Sequence, residues 1–362
     1  MPLTRPALDA ALATPDSAAL ASRAGELRHP LLPRMPIDPR KGLTPDSAAV
    51  IAVIVNPSLR AERDRRSLAC AQLLEAGILP NPTIDFTLDP VTGGNTAGAI
   101  TAYSVGLSWE ITSLITHDAK VKAGQAQLQS VQLDVAWQEW QVAQAAKKAV
   151  YDVVALRGQL SEAATVDHQL AENAALMRRA MDAGQKTRLD FAAAEAASQK
   201  AHTDFLAARG DLRHQELMLN ETLGLPPDAA VQLSGTIALP SRLELPSAVE
   251  LTAGIDERRI DLVALRRGYE SQEQTLRAAV LAQFPRITLG FHQAADNTNV
   301  QSFGPGVSID LPIFDRNQGN IAIQTATRQQ LFDEFIARVF AARSAVAQSL
   351  DDIHSLIEQI AA

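Results

Sequence analysis

Apolar side chains recur every seven residues through the long central stretch of this chain. Val121, Leu128, Val135, Val142, Ala149 and Leu156 make one row, with Leu133, Trp140 and Val154 beside it. After an interruption, Phe191, Phe205, Leu212 and Leu219 resume at multiples of seven. A heptad period held this long predicts helices wound on other helices. Residues 118–183 contain no proline and two glycines, Gly124 and Gly158. Alanine, glutamine, leucine and valine dominate there, and helices accept all of them. The interruption has turn chemistry. Gly184 suits a left-handed helix end, and Thr187 with Asp190 three residues on suits an N-cap with an acidic partner. The pattern predicts a long antiparallel helical hairpin over 118–223 with its tip near 184–187. At about 1.5 Å of rise per residue, such a run extends on the order of 100 Å. Leu223-Gly224-Leu225-Pro226-Pro227 ends it with a glycine stop and prolines.

Upstream the period drops to two. Ile84, Phe86 and Leu88 alternate with Thr83, Asp85 and Thr87, and Tyr103, Val105, Leu107, Trp109 and Ile111 alternate with small polar residues. Two strands, each apolar on one face, flank turn residues 89–96, predicting a hairpin over 83–111. A soluble sandwich and an outer-membrane barrel share this pattern, and the second run is long enough for a bilayer-spanning strand of about 9–11 residues. Before the hairpin, Asn56-Pro57 reads as the cap and first residue of a helix that stops at Gly77. Arg60, Arg63, Arg65 and Arg66 read as its solvated face, and Cys70 as a small buried hydrophobe.

The sequence then repeats. Ile260-Asp261-Leu262-Val263-Ala264 falls on Pro57-Ser58-Leu59-Arg60-Ala61 at an offset of 203, and Gly306-Val307-Ser308-Ile309-Asp310-Leu311 falls on Gly106-Leu107-Ser108-Trp109-Glu110-Ile111 at an offset of 200. The second hairpin loop is therefore expected to be three residues shorter. The predicted organisation is a disordered leader over 1–42, a first repeat over 43–225, a linker over 226–247 and a second repeat over 248–362. That second repeat holds a hairpin over 286–313 and a long helix from about 317. Ala362 falls on Glu162 of the first copy, so the second copy reads as ending before its own tip and return helix.

Composition removes several functions. The formal net charge is −8 and aromatic content is 4%, which argues against a nucleic-acid surface. One cysteine permits neither a disulfide framework nor a thiol metal cluster within the chain. No run of about 18 apolar residues predicts a membrane helix, and the N-terminal stretch does not read as a secretory signal. Asp351-Asp352, and Glu110 near Asp118, read as solvated carboxylates. Gly93-Gly94 reads as a turn without the Lys-Ser/Thr of a phosphate loop. His117 reads as part of a helix start and His292 as a strand-end residue. With no nucleophile, His–Asp pair or phosphate loop legible, the chain reads as no enzyme, and no cofactor or metal site is expected.

Three strings carry a resemblance. Asn56-Pro57-Ser58-Leu59-Arg60, followed by Glu75-Ala76-Gly77-Ile78-Leu79-Pro80-Asn81-Pro82, leads into the first strand. Met181, Gly184, Thr187, Leu189 and Asp190 form the hairpin turn. Asp310-Leu311-Pro312-Ile313-Phe314-Asp315-Arg316-Asn317-Gln318-Gly319-Asn320 joins the last strand to the last helix. In this order and duplicated, they resemble the TolC-type outer-membrane factor family, the exit ducts of tripartite efflux pumps. The last string is most similar to the cobalt–zinc–cadmium branch. The resemblance spans 43–362.

It implies a mainly α fold with a small β part. Long antiparallel coiled-coil helices and four strands per protomer would contribute to a twelve-stranded β-barrel and an α-barrel in a homotrimer. It implies an outer-membrane channel with a periplasmic extension, bathed in outer-membrane lipid. Its partners would be a periplasmic adaptor (membrane fusion protein) and an inner-membrane pump of the RND type. Opening in this family proceeds by untwisting of the helical hairpins near their tips. Carried onto this sequence, Gly184, Thr187, Leu189 and Asp190 become the adaptor-docking tip. Pro312, Phe314, Asp315, Asn317 and Gly319 become the barrel-to-helix junction. The expected cargo is heavy-metal cations or other small toxic compounds. The sequence departs from the family in lacking a legible export signal, a lipidatable N-terminal cysteine and the second tip. A soluble coiled-coil scaffold or periplasmic adaptor, or a non-conducting truncated remnant, are the alternative readings.

Overall fold

A computed structural model describes residues 4–13, 17–26, 42–94, 97–234 and 245–361. The chain divides into two compact units, residues 1–63 with 135–243 and residues 64–134 with 244–362. Helix α5 (Ser113–Asp182), 70 residues long, contributes to both.

The first unit is helical. It contains α1 (Arg5–Leu12), α2 (Ser17–Glu26), α3 (Pro45–Val55), the start of α4 (Pro57–Ala76), α5 from Val135 onward and α6 (Arg188–Leu223). Helix α3 begins at Thr44, whose hydroxyl accepts from the Ser47 backbone N–H while Pro45 occupies the first turn, an N-cap followed by a residue whose missing N–H costs nothing there. Ser47, Ala48, Ala49, Val50, Ile51, Ala52, Val53 and Val55 are all buried, so this helix is core on every side. Around it close Ala146, Ala149, Val150 and Val153 of α5 and Leu219 and Leu223 of α6. Ala24 of α2 joins the same core. The sequence predicts a disordered leader over 1–42, yet its described stretches form α1 and α2. Ala24 has apolar surface to cover and finds it on α3. Residues 27–41, read as an extended linker, lie outside the described residues, as do 235–244 of the second linker.

Beyond the core, α5 and α6 run as a two-helix coil. The less exposed positions on α5 include Leu156, Leu160, Ala163, Asp167, Leu170, Ala174, Met177 and Met181. On α6 they are Phe191, Ala194, Ser198, Ala201, Phe205, Ala208 and Leu212. The steps alternate four and three, the spacing of an interlocking helical seam.

The second unit holds a four-stranded antiparallel sheet in the order β1 (Thr83–Asp89), β2 (Ala102–Glu110), β3 (Arg286–Ala295), β4 (Gln301–Asp310). Strands from the two sequence repeats pair directly. Gly106 sits opposite Asp85 on one side and His292 on the other, and His292 sits opposite Gly304. Beside the sheet lie α7 (Ala248–Thr252), α8 (Ile255–Arg258), α9 (Ile260–Leu281) and α10 (Gln318–Ala361). Leu262 of α9 is fully buried with Ile255 and Ala342, against Phe335, Val339 and Val346 of α10. Small residues let the first turns of α5 come close to their neighbours. Ser271 and Ser130 donate to the Ala123 and Ala264 carbonyls, and a Cβ on Gly124 would sit 3.1 Å from Leu73 Cδ1.

The hairpins differ more than the repeat offset suggests. The strands are 7 and 9 residues long in the first and 10 and 10 in the second. Four extra residues enter the second ladder, so its loop shrinks to 296–300 against 90–101. Asp296 makes the tight turn possible: its Oδ1 accepts from the Thr298 and Val300 backbone N–H groups and the Thr298 hydroxyl. Asn95 and Thr96 of the longer loop lie outside the described residues. Among the described residues no helix is long and apolar enough to cross a membrane, a statement about helices alone.

Two readings of single residues change. Arg63 is not part of a solvated face: its Nε donates to Glu139 Oε1 at 2.6 Å and its guanidinium to the Val53 carbonyl. Glu139, 5% exposed, needs that cation, because an unpaired buried carboxylate is costly. Arg65 pairs with Asp134. Cys70 is exposed rather than buried.

Candidate functional site

Three places carry the features from which function is argued: the sheet, the junctions below it and the hairpin turn.

The sheet separates its chemistry by face. The pairing register puts Thr83, Asp85 and Thr87 in line with Ser104, Gly106 and Ser108, with Thr288, Gly290 and His292, and with Ser302, Gly304, Gly306 and Ser308. The alternate positions are Ile84, Phe86 and Leu88, Val105 and Leu107, Leu289 and Phe291, and Phe303, Val307 and Ile309. These apolar side chains are exposed, Ile84 by 73% and Phe303 by 76%. A contiguous apolar face this bare is out of place in water. On the other face, glycines leave room for the polar side chains. A Cβ on Gly106 would lie 2.4 Å from Asp85 Oδ2. His292, read as a strand-end residue, lies within β3 with its ring beside Gly304 and Gly306. Strands β1 and β4 each have one unpaired edge in this sheet.

At the β4–α10 junction, the residues singled out from sequence do different jobs. Asn317 takes φ 60°, a conformation asparagine tolerates better than most residues. From it, Nδ2 donates to the Ala279 carbonyl at 2.8 Å and its N–H to Asp315 Oδ1. The Ile321 N–H then donates to the Asn317 carbonyl and starts α10. The Pro312 carbonyl accepts from Arg316 Nε. Phe314 is 91% exposed. Gly319 has no positive φ and no close neighbour; nothing in the structure requires glycine there. The β2–α5 junction rests on Thr112, which sequence reasoning missed. Buried, it accepts from the Ile287 N–H at 2.6 Å and donates to the Pro285 carbonyl. The repeat places Thr112 on Pro312, and that equivalence is the signal that marks it. Glu110, Thr112, Lys120, Arg286, Asp310 and Asn317 line one open groove across these junctions.

The hairpin turn is built by two local devices. Helix α5 closes with the Gln185 N–H on the Ala180 carbonyl and the Gly184 N–H on the Met181 carbonyl, with Gly184 at φ 72°. That is the double bond of a left-handed helix stop. Helix α6 opens with Thr187 Oγ1 accepting from the Asp190 N–H, while Asp190 Oδ2 accepts from the Thr187 N–H and hydroxyl. These bonds from Thr187, with Lys186 nearby, hold the Asp190 carboxyl below its usual range. Leu189 stands 79% exposed beside them. Gly184, Thr187, Leu189 and Asp190 thus converge on one turn. No cluster of three metal-ligating side chains occurs among the described residues.

A family model described as "Outer membrane efflux protein" matches residues 51–225. The cobalt-zinc-cadmium resistance protein CzcC of Cupriavidus metallidurans is 25% identical over 345 residues, 91% of this chain and 77% of that protein. Two solved structures share the fold. A membrane protein from Pseudomonas aeruginosa superposes with a TM-score of 0.71 at 18% identity, covering 92% of this chain and 85% of that one. The CmeC outer membrane channel of Campylobacter jejuni gives 0.67 at 14% identity, covering 94% and 81%.

Proposed function

Because this chain belongs to the outer membrane efflux protein family, the TolC-type channels of the outer membrane, we propose that it is the passive exit duct of a tripartite pump of the RND type, carrying heavy-metal cations or other small toxic compounds. The two-faced sheet carries this reading. One face suits hydrocarbon and the other suits water, which is what a barrel wall between lipid and an aqueous lumen requires. Four strands do not close a barrel, and an open edge in lipid leaves backbone groups unsatisfied. Three copies joined β4 to β1 make twelve strands and remove every edge. A periplasmic adaptor docks at the turn of Gly184, Thr187, Leu189 and Asp190, where an exposed leucine stands between two hydrogen-bonded caps.

The metal cargo rests on the relative from C. metallidurans, whose name records cobalt, zinc and cadmium resistance. Such a duct passes ions without holding them, and tight binding would slow passage. The test has two steps. Fractionated envelopes should carry the chain in the outer membrane as crosslinkable trimers. Its expression should then restore cobalt, zinc or cadmium tolerance to cells missing their own metal duct. Trimers in the outer membrane without restored metal tolerance would sink the cargo and leave the duct. A monomer in the soluble fraction would sink both.

A further inference from the structure

Nearer the base, Arg157 of α5 pairs with Glu216 of α6; toward the tip the half-buried seam positions of α5 contain one charge. From Leu156 to Met181 its positions on α5 are leucine, alanine and methionine, except Asp167. An isolated carboxylate in a helical seam costs stability unless it finds a partner. It finds one on the other arm. His202 Nδ1 lies 3.2 Å from Asp167 Oδ2, with the two side chains 59% and 21% exposed. The residues stand 35 apart in sequence, so neither was legible as a member of a His–Asp pair. No serine, threonine or cysteine hydroxyl or thiol is bonded to this histidine among the described contacts, which leaves a structural role.

We propose that Asp167 and His202 form a proton-operated clasp between the two arms of the hairpin, tighter in acid and looser in mild alkali. Imidazole is the side chain whose charge changes between about pH 5 and 8. Neutral His202 gives Asp167 one hydrogen bond. Protonated His202 gives it the same bond and a full opposite charge. On α5, His168 is paired with Glu172, facing away from the seam position. On α6, Lys200 is matched by Asp204. His202 also lies against the Phe205 ring, with centroids 6.3 Å apart, and that ring carries the Arg209 guanidinium at 5.9 Å. The Asp167 carboxylate is therefore the unmatched charge nearest His202. In the distal half of the hairpin, where the described residues of this unit supply no third helix, one cross-arm pair is a larger share of what holds the arms together.

The clasp bears on channel opening only if the duct assigned above is correct, because opening in that family untwists these arms. The test reads the hairpin itself, so the two ideas fail separately. Hydrogen exchange would be followed on the full-length detergent-solubilised protein between about pH 8 and pH 5.5, corrected for the chemical exchange rate. In the native chain, protection of segments 160–181 and 191–208 should rise about two- to fivefold on acidification, the range of a half-exposed ion pair. His202→Gln keeps a donor but does not titrate, and should abolish the rise. Asp167→Asn should abolish it too. A rise that survives in both variants, or that is equally large in segment 212–223, overturns the clasp. So does a native profile that is flat with pH.

Discussion

The base and the tip of the α5–α6 hairpin are written in the same heptad code and end in different physical states. At the base, Val150, Val153, Leu219 and Leu223 are buried to 2% exposure or less because α3 lies across them. Toward the tip, Leu160, Met177, Phe191 and Phe205 occupy equivalent seam positions and remain half-exposed. Two helices cannot surround a side chain; three or more can. The heptad period therefore reports which positions face a partner helix, and the number of partners decides how much each burial stabilises. The base is a core. The tip is a zipper held by local caps and shallow contacts, the kind of segment that opens first.

The same contrast governs the sharpest way to break the hairpin. Leu219→Ala should destabilise the chain by about 3 kcal/mol, the transfer of a buried leucine plus the cavity it leaves. Met177→Ala, at a seam position with water on one side, should cost about 1 kcal/mol or less. Denaturant unfolding of the two variants measures the ratio. Equal losses would mean that the tip is packed as tightly as the base.

Two glycines sharpen it further. Gly184 and Gly224 have nearly the same backbone, φ 72° and 73°, one closing α5 and the other closing α6. Nothing lies within 4 Å of where a Cβ on Gly184 would be, whereas one on Gly224 would meet Asn56 Cα at 2.8 Å and Pro57 Cδ at 3.0 Å. Gly224→Ala should therefore cost about 3 kcal/mol, left-handed strain plus a collision with backbone that cannot give. Gly184→Ala should cost about 1 kcal/mol, the strain alone. If the turn docks an adaptor, Gly184→Val should lower adaptor crosslinking, with an unfolding midpoint below that of the alanine variant because a β-branched side chain is more strained at positive φ. Unchanged crosslinking removes the docking role and leaves Gly184 as a turn residue.

What was legible in the sequence follows the same division. The periodic segments were readable because each position's partner lies a fixed step away. Val135, Ala149 and Leu219 occupy the predicted rows and are buried. The period-two segments gave the two-faced strands, and the repeat offset gave their equivalence. Contacts between distant segments left no such trace. The expected solvation of Arg63 failed because Glu139 lies 76 positions away, and helix periodicity does not say which surface α3 covers. Thr112 escaped notice because a buried threonine and a proline serve equivalent points of the two repeats with no common side-chain chemistry. The first copy uses hydrogen bonds to Ile287 and Pro285, the second a residue with no N–H to satisfy. The turn residues lie between these cases. The left-handed glycine and the Thr187–Asp190 cap follow from local rules, but the exposure of Leu189 does not.

The smallest effect concerns pH at the tip. Asp190 is bonded to Thr187 through backbone and hydroxyl, and its carboxyl is held below the usual range. A carboxyl depressed on folding contributes stability that is whole above its ordinary range, near pH 4, and is lost as pH falls through the depressed value. The cap should thus be indifferent to pH between about 8 and 5, the window in which an imidazole changes charge. Comparing hydrogen exchange of segment 183–192 in the native chain and in Asp190→Asn should give a constant difference across that window. The difference should shrink only below about pH 4. A difference that already declines between pH 7 and 5 would place the cap's control in another group and would remove Thr187 as the donor that fixes this turn.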